Sequence, residues 1–367
     1  MWRATSAMVT REWSEWDRPQ RRSVTVMVAT VVLLQVVGWG MLLTVVVPGR
    51  FASSEAVFGA GLGLTAYTLG VRHAFDADHI AAIDNTTRKL VAENRKPLSV
   101  GFWFSLGHSS VVFVMVLALA FGVRALASGV RDEHSRLHTY AGILGSGISG
   151  TFLLLIALLN LVSLFGIGRA LRAQRRGHYD ETALDALLET RGAINRLLSP
   201  LVRGVREPRH MYPIGLLFGL GFDTVTEVSL LVLAGGAATG EVPWYAILVL
   251  PVLFSAGMTL FDSLDGAYMS YAYGWAFAEP RRKIYYNLVV TGLSVLVALL
   301  IGGQQIVSVV AERLRITSGP VAWIGNMDLG SLGFAIAALF LGVWLLAVAT
   351  WRYRDAKRTR PAAEPAP

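Results

Sequence analysis

The sequence predicts an all-α, polytopic integral membrane protein of about eight transmembrane helices, with both termini in the cytoplasm. Three observations predict it. Hydrophobic residues make up 54% of the 367-residue chain and charged residues only 16%, with a mean hydropathy of +0.51; that is more apolar surface than a globule can hide from water. Eight apolar stretches are each long enough to cross roughly 30 Å of hydrocarbon. The basic residues also sort by connecting segment. Of 33 Lys and Arg, 26 lie in one alternating set of segments and six in the other. The positive-inside rule puts the richer set, which includes both termini, in the cytoplasm. The net charge of +8 therefore reads as topology rather than as a nucleic-acid surface.

The first span, 24–47, follows the basic segment 1–23. It is too long for a signal peptide and has no small-residue cleavage site after it. The second, 56–83, ends in VRHAFDADHIAAIDNTTRK, and the third, 100–122, holds FSLGHSS. The fourth, 139–166, has Asn160 as its polar interior residue. Helices 1–4 thus occupy 24–166, and the cytoplasmic loop 167–212 follows. In that loop Asp180 is expected to cap a short amphipathic helix with Leu184, Leu187, Leu188, Leu197 and Leu198 on its apolar side. The basic residues there hold orientation and touch anionic headgroups. Helices 5–8 occupy 213–350, with spans at 213–237, 243–273, 285–311 and 330–350. The fifth holds GFDTVTEV and the sixth FDSLDG. The first, seventh and eighth interiors are uncharged, and the tail 351–367 reads as disordered. The 37 glycines suit close helix contacts in a membrane.

An ionisable group in hydrocarbon costs roughly 2.5–3.5 kcal/mol on insertion scales, so it needs a partner or a function. Here such groups concentrate in four spans: Arg72, His73, Asp76, Asp78 and His79 in the second, His108 in the third, Asp223 and Glu227 in the fifth, Asp262 and Asp265 in the sixth. At a rise of 1.5 Å per residue, His73, His108, Asp223, Asp262 and Asp265 all lie about 12–16 Å from the cytoplasmic ends of their helices. That common layer is where secondary transporters place substrate. At 100° per residue, His73, Asp76, His79 and Asp84 share an arc of about 140°, with Asp78 opposite. Either Asp78 serves another helix interface or the helix is broken near Asp76–His79. Arg72 is expected to be a counter-ion to the carboxylates, and Asp84, Arg88 and Lys89 to mark the membrane interface.

The donor set selects the chemistry. The chain has no cysteine, which excludes thiolate-built copper(I) sites, and its nine Met do not cluster to replace them. Imidazole with carboxylate suits nickel, cobalt and zinc, whereas magnesium and calcium prefer all-oxygen shells. Titratable imidazoles and acids could couple metal movement to protons.

At these residues the chain resembles the nickel/cobalt transporter family of secondary permeases. RHAFDADHI carries that family's H-x-x-x-x-D-H pattern at His73, Asp78 and His79. FSLGHSS, LGFDTVTE and GMTLFDSLD match further family motifs in the same order. The resemblance covers about 56–350. It implies an eight-helix importer of nickel, cobalt or both in the cytoplasmic membrane, with His73, Asp76, Asp78 and His79 handling the metal. It implies no enzymatic activity, no resident cofactor and no ATPase partner, and leaves the nickel-versus-cobalt preference open. His108, Asp223, Glu227, Asp262 and Asp265 complete the candidate set. An intramembrane zinc protease would need H-E-x-x-H, which is absent; seven His are too few for a histidine-box oxidase. An exporter is the nearer rival, but its expected His-rich loop is represented only by His178 and His210.

Overall fold

The computed structural model describes residues 17–49, 59–120, 143, 146–158, 160–161, 164–165, 205–220, 243–277, 280–327 and 332–358. Every regular element among the described residues is helical. Helix α1 (Arg18–Met41) continues through a π-helical turn (Leu42–Val46) to Gly49. Asp17 caps it, accepting from the Gln20 N–H at 2.8 Å, while Gln20 reaches back to the Asp17 N–H, a reciprocal capping box with Pro19 in the first turn. There follow α2 (Ala60–Ala74), α3 (Ala77–Ala92), α4 (Val100–Ala120), α5 (Ser146–Leu158), α6 (Met211–Gly219), α7 (Val249–Phe277), α8 (Pro280–Arg313), α9 (Gly319–Gly325) and α10 (Leu332–Arg358).

Among the described residues, five helical segments are long and apolar enough to cross a membrane: Arg18–Gly49, Val100–Ala118, Trp244–Ala276, Leu288–Arg313 and Leu332–Trp351. They fall on the first, third, sixth, seventh and eighth expected spans. Val32, Leu33 and Val36 on α1, Leu300 on α8 and Leu346 on α10 are exposed, as lipid-facing aliphatic side chains are. The fourth expected span is described in its central part, and the fifth only over α6 and Leu220. Asp223, Glu227, the Asp180 helix and most of the 167–212 loop lie outside the described residues.

The second expected span is two helices. Phe75 (φ −92°, ψ 10°) closes α2 and Asp76 (φ −64°, ψ 141°) opens α3. Asp is a favoured residue at an N-cap, yet the Asp76 carboxylate caps nothing here; it is turned to His73. Capping passes to Asp78, whose Oδ1 accepts the His79 N–H at 2.9 Å. The break is packed by α10: a Cβ on Gly333 would overlap the Phe75 carbonyl, and the Phe75 ring stacks on Phe334 with centroids 4.6 Å apart.

Three elements differ from expectation. Helix α3 continues to Ala92 rather than ending near 83, because the residues after Asp84 are buried by protein rather than released to a loop. Helix α10 runs to Arg358, eight residues into the expected tail, where basic residues at a helix C-terminus offset its dipole. Helix α9, opened by Ser318 and Pro320, was not expected at all; Gln304 of α8 donates to its Gly325 carbonyl at 3.1 Å.

Glycines set the central packing. A Cβ on Gly70 would overlap the Phe254 backbone, and one on Gly257 would sit 2.5 Å from the Tyr67 carbonyl, so α2 and α7 touch backbone to backbone. Gly107 and Gly215 do the same for α4 and α6, against the carbonyls of Tyr212 and Phe104. Gly101 meets the Asp262 carbonyl, closing α4 on α7. Such contacts need small residues at the crossing point. They bring the break between α2 and α3, the middle of α4 and the middle of α7 to one place.

Candidate metal site

Three imidazoles converge there. His73 ends α2, His79 lies in the first turn of α3, and His108 comes from α4. Their ring centroids form a nearly equilateral triangle: 4.7 Å from His73 to His79, 4.9 Å from His73 to His108 and 4.8 Å from His79 to His108. One ring nitrogen of each lies within 4.8 Å of the others. All three are sequestered, at 5%, 1% and 2% exposure for His73, His79 and His108, so a bound ion would leave its hydration shell. Phe104 meets His79 edge to face at 4.8 Å, and Phe254 lies 5.6 Å from His73. These walls keep the local dielectric low.

Carboxylates stand behind two of the rings. The Asp76 Oδ2 is 2.7 Å from His73 Nδ1, and the Asp262 Oδ2 is 3.4 Å from His79 Nδ1. A carboxylate behind a ligating imidazole fixes its tautomer and raises its basicity. With Nδ1–H turned to Asp76, the inward Nε2 of His73 is an acceptor, and the Nε2 of His108 lies 3.1 Å from it. Asp262 is fully buried, with the His79 ring and Ser105 beside its carboxylate. An anion so placed asks for a cation. Two carboxylates and three neutral rings together match the charge of a divalent ion. The 3.1 Å between the Nε2 atoms of His73 and His108 already suits two metal–imidazole bonds of about 2.0–2.1 Å, the zinc value.

The other candidates are placed differently. Asp78 is turned away from the rings, and its Oδ2 accepts from Ser149 of α5 at 3.1 Å and Gln305 of α8 at 3.4 Å. Both structural options for this motif hold together: the helix is broken, and Asp78 serves another interface. Asp265 lies one turn beyond Asp262 on α7, within electrostatic reach of Asp262 and Asp84, with one carboxylate oxygen buried and unbonded. Arg72 sits exposed on the last turn of α2. Asp223 and Glu227 are outside the described residues.

Asp84 and Arg88, expected at the membrane interface, are both buried within the protein. Asp84 accepts from Tyr273 of α7 and, at 2.6 Å, from Ser294 of α8. Arg88 donates to Thr291 at 2.7 Å and Asn85 at 2.9 Å, and Asn160 also donates to Asn85. Of these helix-bridging side chains the sequence showed Asn160, whereas Ser149, Thr291, Ser294 and Gln305 were hidden behind the more conspicuous ionisable groups. Neutral polar side chains inside apolar helices were the available signal.

Comparison with known proteins places the chain among metal transporters. A family model described as high-affinity nickel-transport protein matches residues 59–350. The chain is 50% identical to the nickel transporter NicT of Mycobacterium tuberculosis, over 99% of this chain and 97% of that protein. It is 43% identical to the nickel transporter NixA of Staphylococcus aureus, over 89% and 93% of the two chains. It is also 40% identical to the cobalt transport protein NhlF of Rhodococcus rhodochrous, over 90% and 92%. No solved structure matches the chain.

Proposed function

The chain belongs to the high-affinity nickel-transport family, and from that premise we propose that it is a multi-pass secondary permease importing nickel, cobalt or both across the cytoplasmic membrane. The single observation that carries the reading is the buried triangle of His73, His79 and His108 at a helix break, backed by Asp76 and Asp262. The ion is the cargo. It enters as a hydrated dication, exchanges water for imidazole nitrogen, and has its charge offset by the two carboxylates. Ligation by all three rings needs the hydrogen between the Nε2 atoms of His73 and His108 to move to another nitrogen or to leave. Metal occupancy is therefore linked to the protonation or tautomer of His108. The relatives are named as transporters, and we assign the chain transport rather than catalysis.

Cells expressing the chain should accumulate labelled nickel or cobalt, each competed by the other more strongly than by manganese, a poorer imidazole-seeking ion. His108→Asn should reach the membrane and lower uptake or shift the nickel/cobalt preference. Uptake no greater than in cells lacking the chain would overturn the permease reading. Unchanged competition curves in His108→Asn would remove that ring from the site.

A further inference from the structure

We propose that Asp78 is a positioning residue that fixes His79, and not a ligand of the transported ion. The inference rests on the three-histidine reading of the site and deepens it. Asp78 is adjacent to His79 in sequence, yet both its oxygens are committed elsewhere. Its Oδ1 holds the His79 backbone N–H at 2.9 Å. Its Oδ2 accepts from Ser149 at 3.1 Å and Gln305 at 3.4 Å. Those two donors come from α5 and α8, on the side of α3 away from the histidine triangle.

The two partner helices are brought close enough for both donors to reach one carboxylate. A Cβ on Gly302 of α8 would lie 3.0 Å from the Gly150 carbonyl of α5, and one on Gly150 would lie 3.1 Å from the Gly302 carbonyl. Ser149 and Gln305 sit beside that crossing, one and three residues along. The first turn of α3 is thus tethered to two helices that contribute no imidazole. An anion also suits this place, because the N-terminus of α3 presents unsatisfied N–H groups and the positive end of its dipole. Asp76, the N-cap residue, cannot supply the cap, since its carboxylate is committed to His73. With Asp78 removed, the break would lose its cap and His79 its fixed direction toward His73 and His108.

The amide variant separates the two roles. In Asp78→Asn the oxygen that takes the His79 N–H is kept. The new NH2 can donate to the Gln305 Oε1, which is buried and has no hydrogen-bond partner in the structure, after that amide turns over. A positioning role therefore tolerates Asn and a ligand role does not.

The test is nickel binding to the purified full-length protein by equilibrium dialysis, with uptake measured in parallel. Asp78→Asn should bind within about tenfold of wild type, whereas Asp78→Ala should weaken binding by about 10–100-fold, the usual cost of a lost supporting partner. The double variant Ser149→Ala/Gln305→Leu touches no imidazole, and it should weaken binding in the same direction as Asp78→Ala. The proposal is overturned if Asp78→Asn binds as poorly as Asp78→Ala, or if Asp78→Ala binds like wild type. It is equally overturned if the Ser149/Gln305 double variant binds like wild type, a measurement that decides the matter even where Asp78→Ala does not fold. His79→Ala, run alongside, tests the underlying site separately: wild-type binding by that variant would remove the histidine triangle itself, whatever the Asp78 series shows.

Discussion

His79→Ala should reach the membrane at near wild-type abundance and lose more than about 99% of nickel uptake per molecule, beyond the 10–100-fold that supporting residues cost. His79 is the member of the triangle with no alternative. It lies in the first turn of α3, its ring is 4.7–4.8 Å from three other rings, and its Nδ1 is the group facing the buried Asp262. Removing the ring takes away a metal bond and also leaves the Asp262 carboxylate with no imidazole beside it. By contrast, losing one interhelical hydrogen bond in a membrane averages only about 0.6 kcal/mol. His73→Ala should behave in the same way. Leu64→Ala, at an exposed position on α2, should transport normally once corrected for abundance. Uptake by His79→Ala above about a tenth of wild type, the lower bound for a supporting residue, would mean that the ring is not a ligand. Quantitative blotting of membranes beside the uptake measurement separates loss of transport from loss of protein.

Gly70→Leu should produce the second large effect, and it should act on assembly. The Cβ of any residue at Gly70 meets the backbone of Phe254, not the tip of a flexible side chain. Neither helix can yield locally, so α2 and α7 must separate along their length. Overpacking of a rigid core costs typically 1–3 kcal/mol and occasionally more, and a backbone clash belongs to the upper end. Since His73 follows Gly70 by one turn, the separation also withdraws one ring from the triangle. Gly70→Ala should lower the thermal midpoint of the detergent-solubilised protein and weaken uptake, and Gly70→Leu should fail to accumulate as a monodisperse species. Gly40→Ala and Gly342→Ala, where a Cβ meets nothing within 4 Å, are the controls. A wild-type elution profile and midpoint for Gly70→Leu would mean that the α2–α7 contact is looser than described.

Much of the site was legible because hydrocarbon makes ionisable groups conspicuous. His73, His108 and Asp262 stood out as titratable residues at one depth and His79 as sharing a helical arc with His73, and the structure brings these four together. The helical arc that separated Asp78 from the histidines was also informative, since the carboxylate does face another interface. The helical arc pointed to a break near Asp76 as one of two options, but not to its occurrence: the run AFDAD contains neither Gly nor Pro, and nothing local forces Phe75 and Asp76 out of the helix. Tertiary contacts do so, through His73 on one side and Gly333 and Phe334 on the other. The burial of Asp84 and Arg88 was hidden for a related reason. A charged pair near a span end reads as an interface marker unless its partners are visible, and those partners are neutral side chains on α7 and α8, far away in sequence. The close crossings at Gly70, Gly107 and Gly215 were visible only as glycine abundance, because which helix each one meets depends on the whole bundle.

The most direct measurement is nickel K-edge X-ray absorption on the purified full-length protein loaded with one equivalent of nickel. Multiple scattering from three imidazoles is expected in the wild type, and from two in His108→Asn. Asp78→Asn should retain all three. An oxygen-only coordination shell, or an imidazole signal that survives unchanged in His73→Ala, His79→Ala and His108→Asn alike, would contradict the assignment of the ion to this triangle.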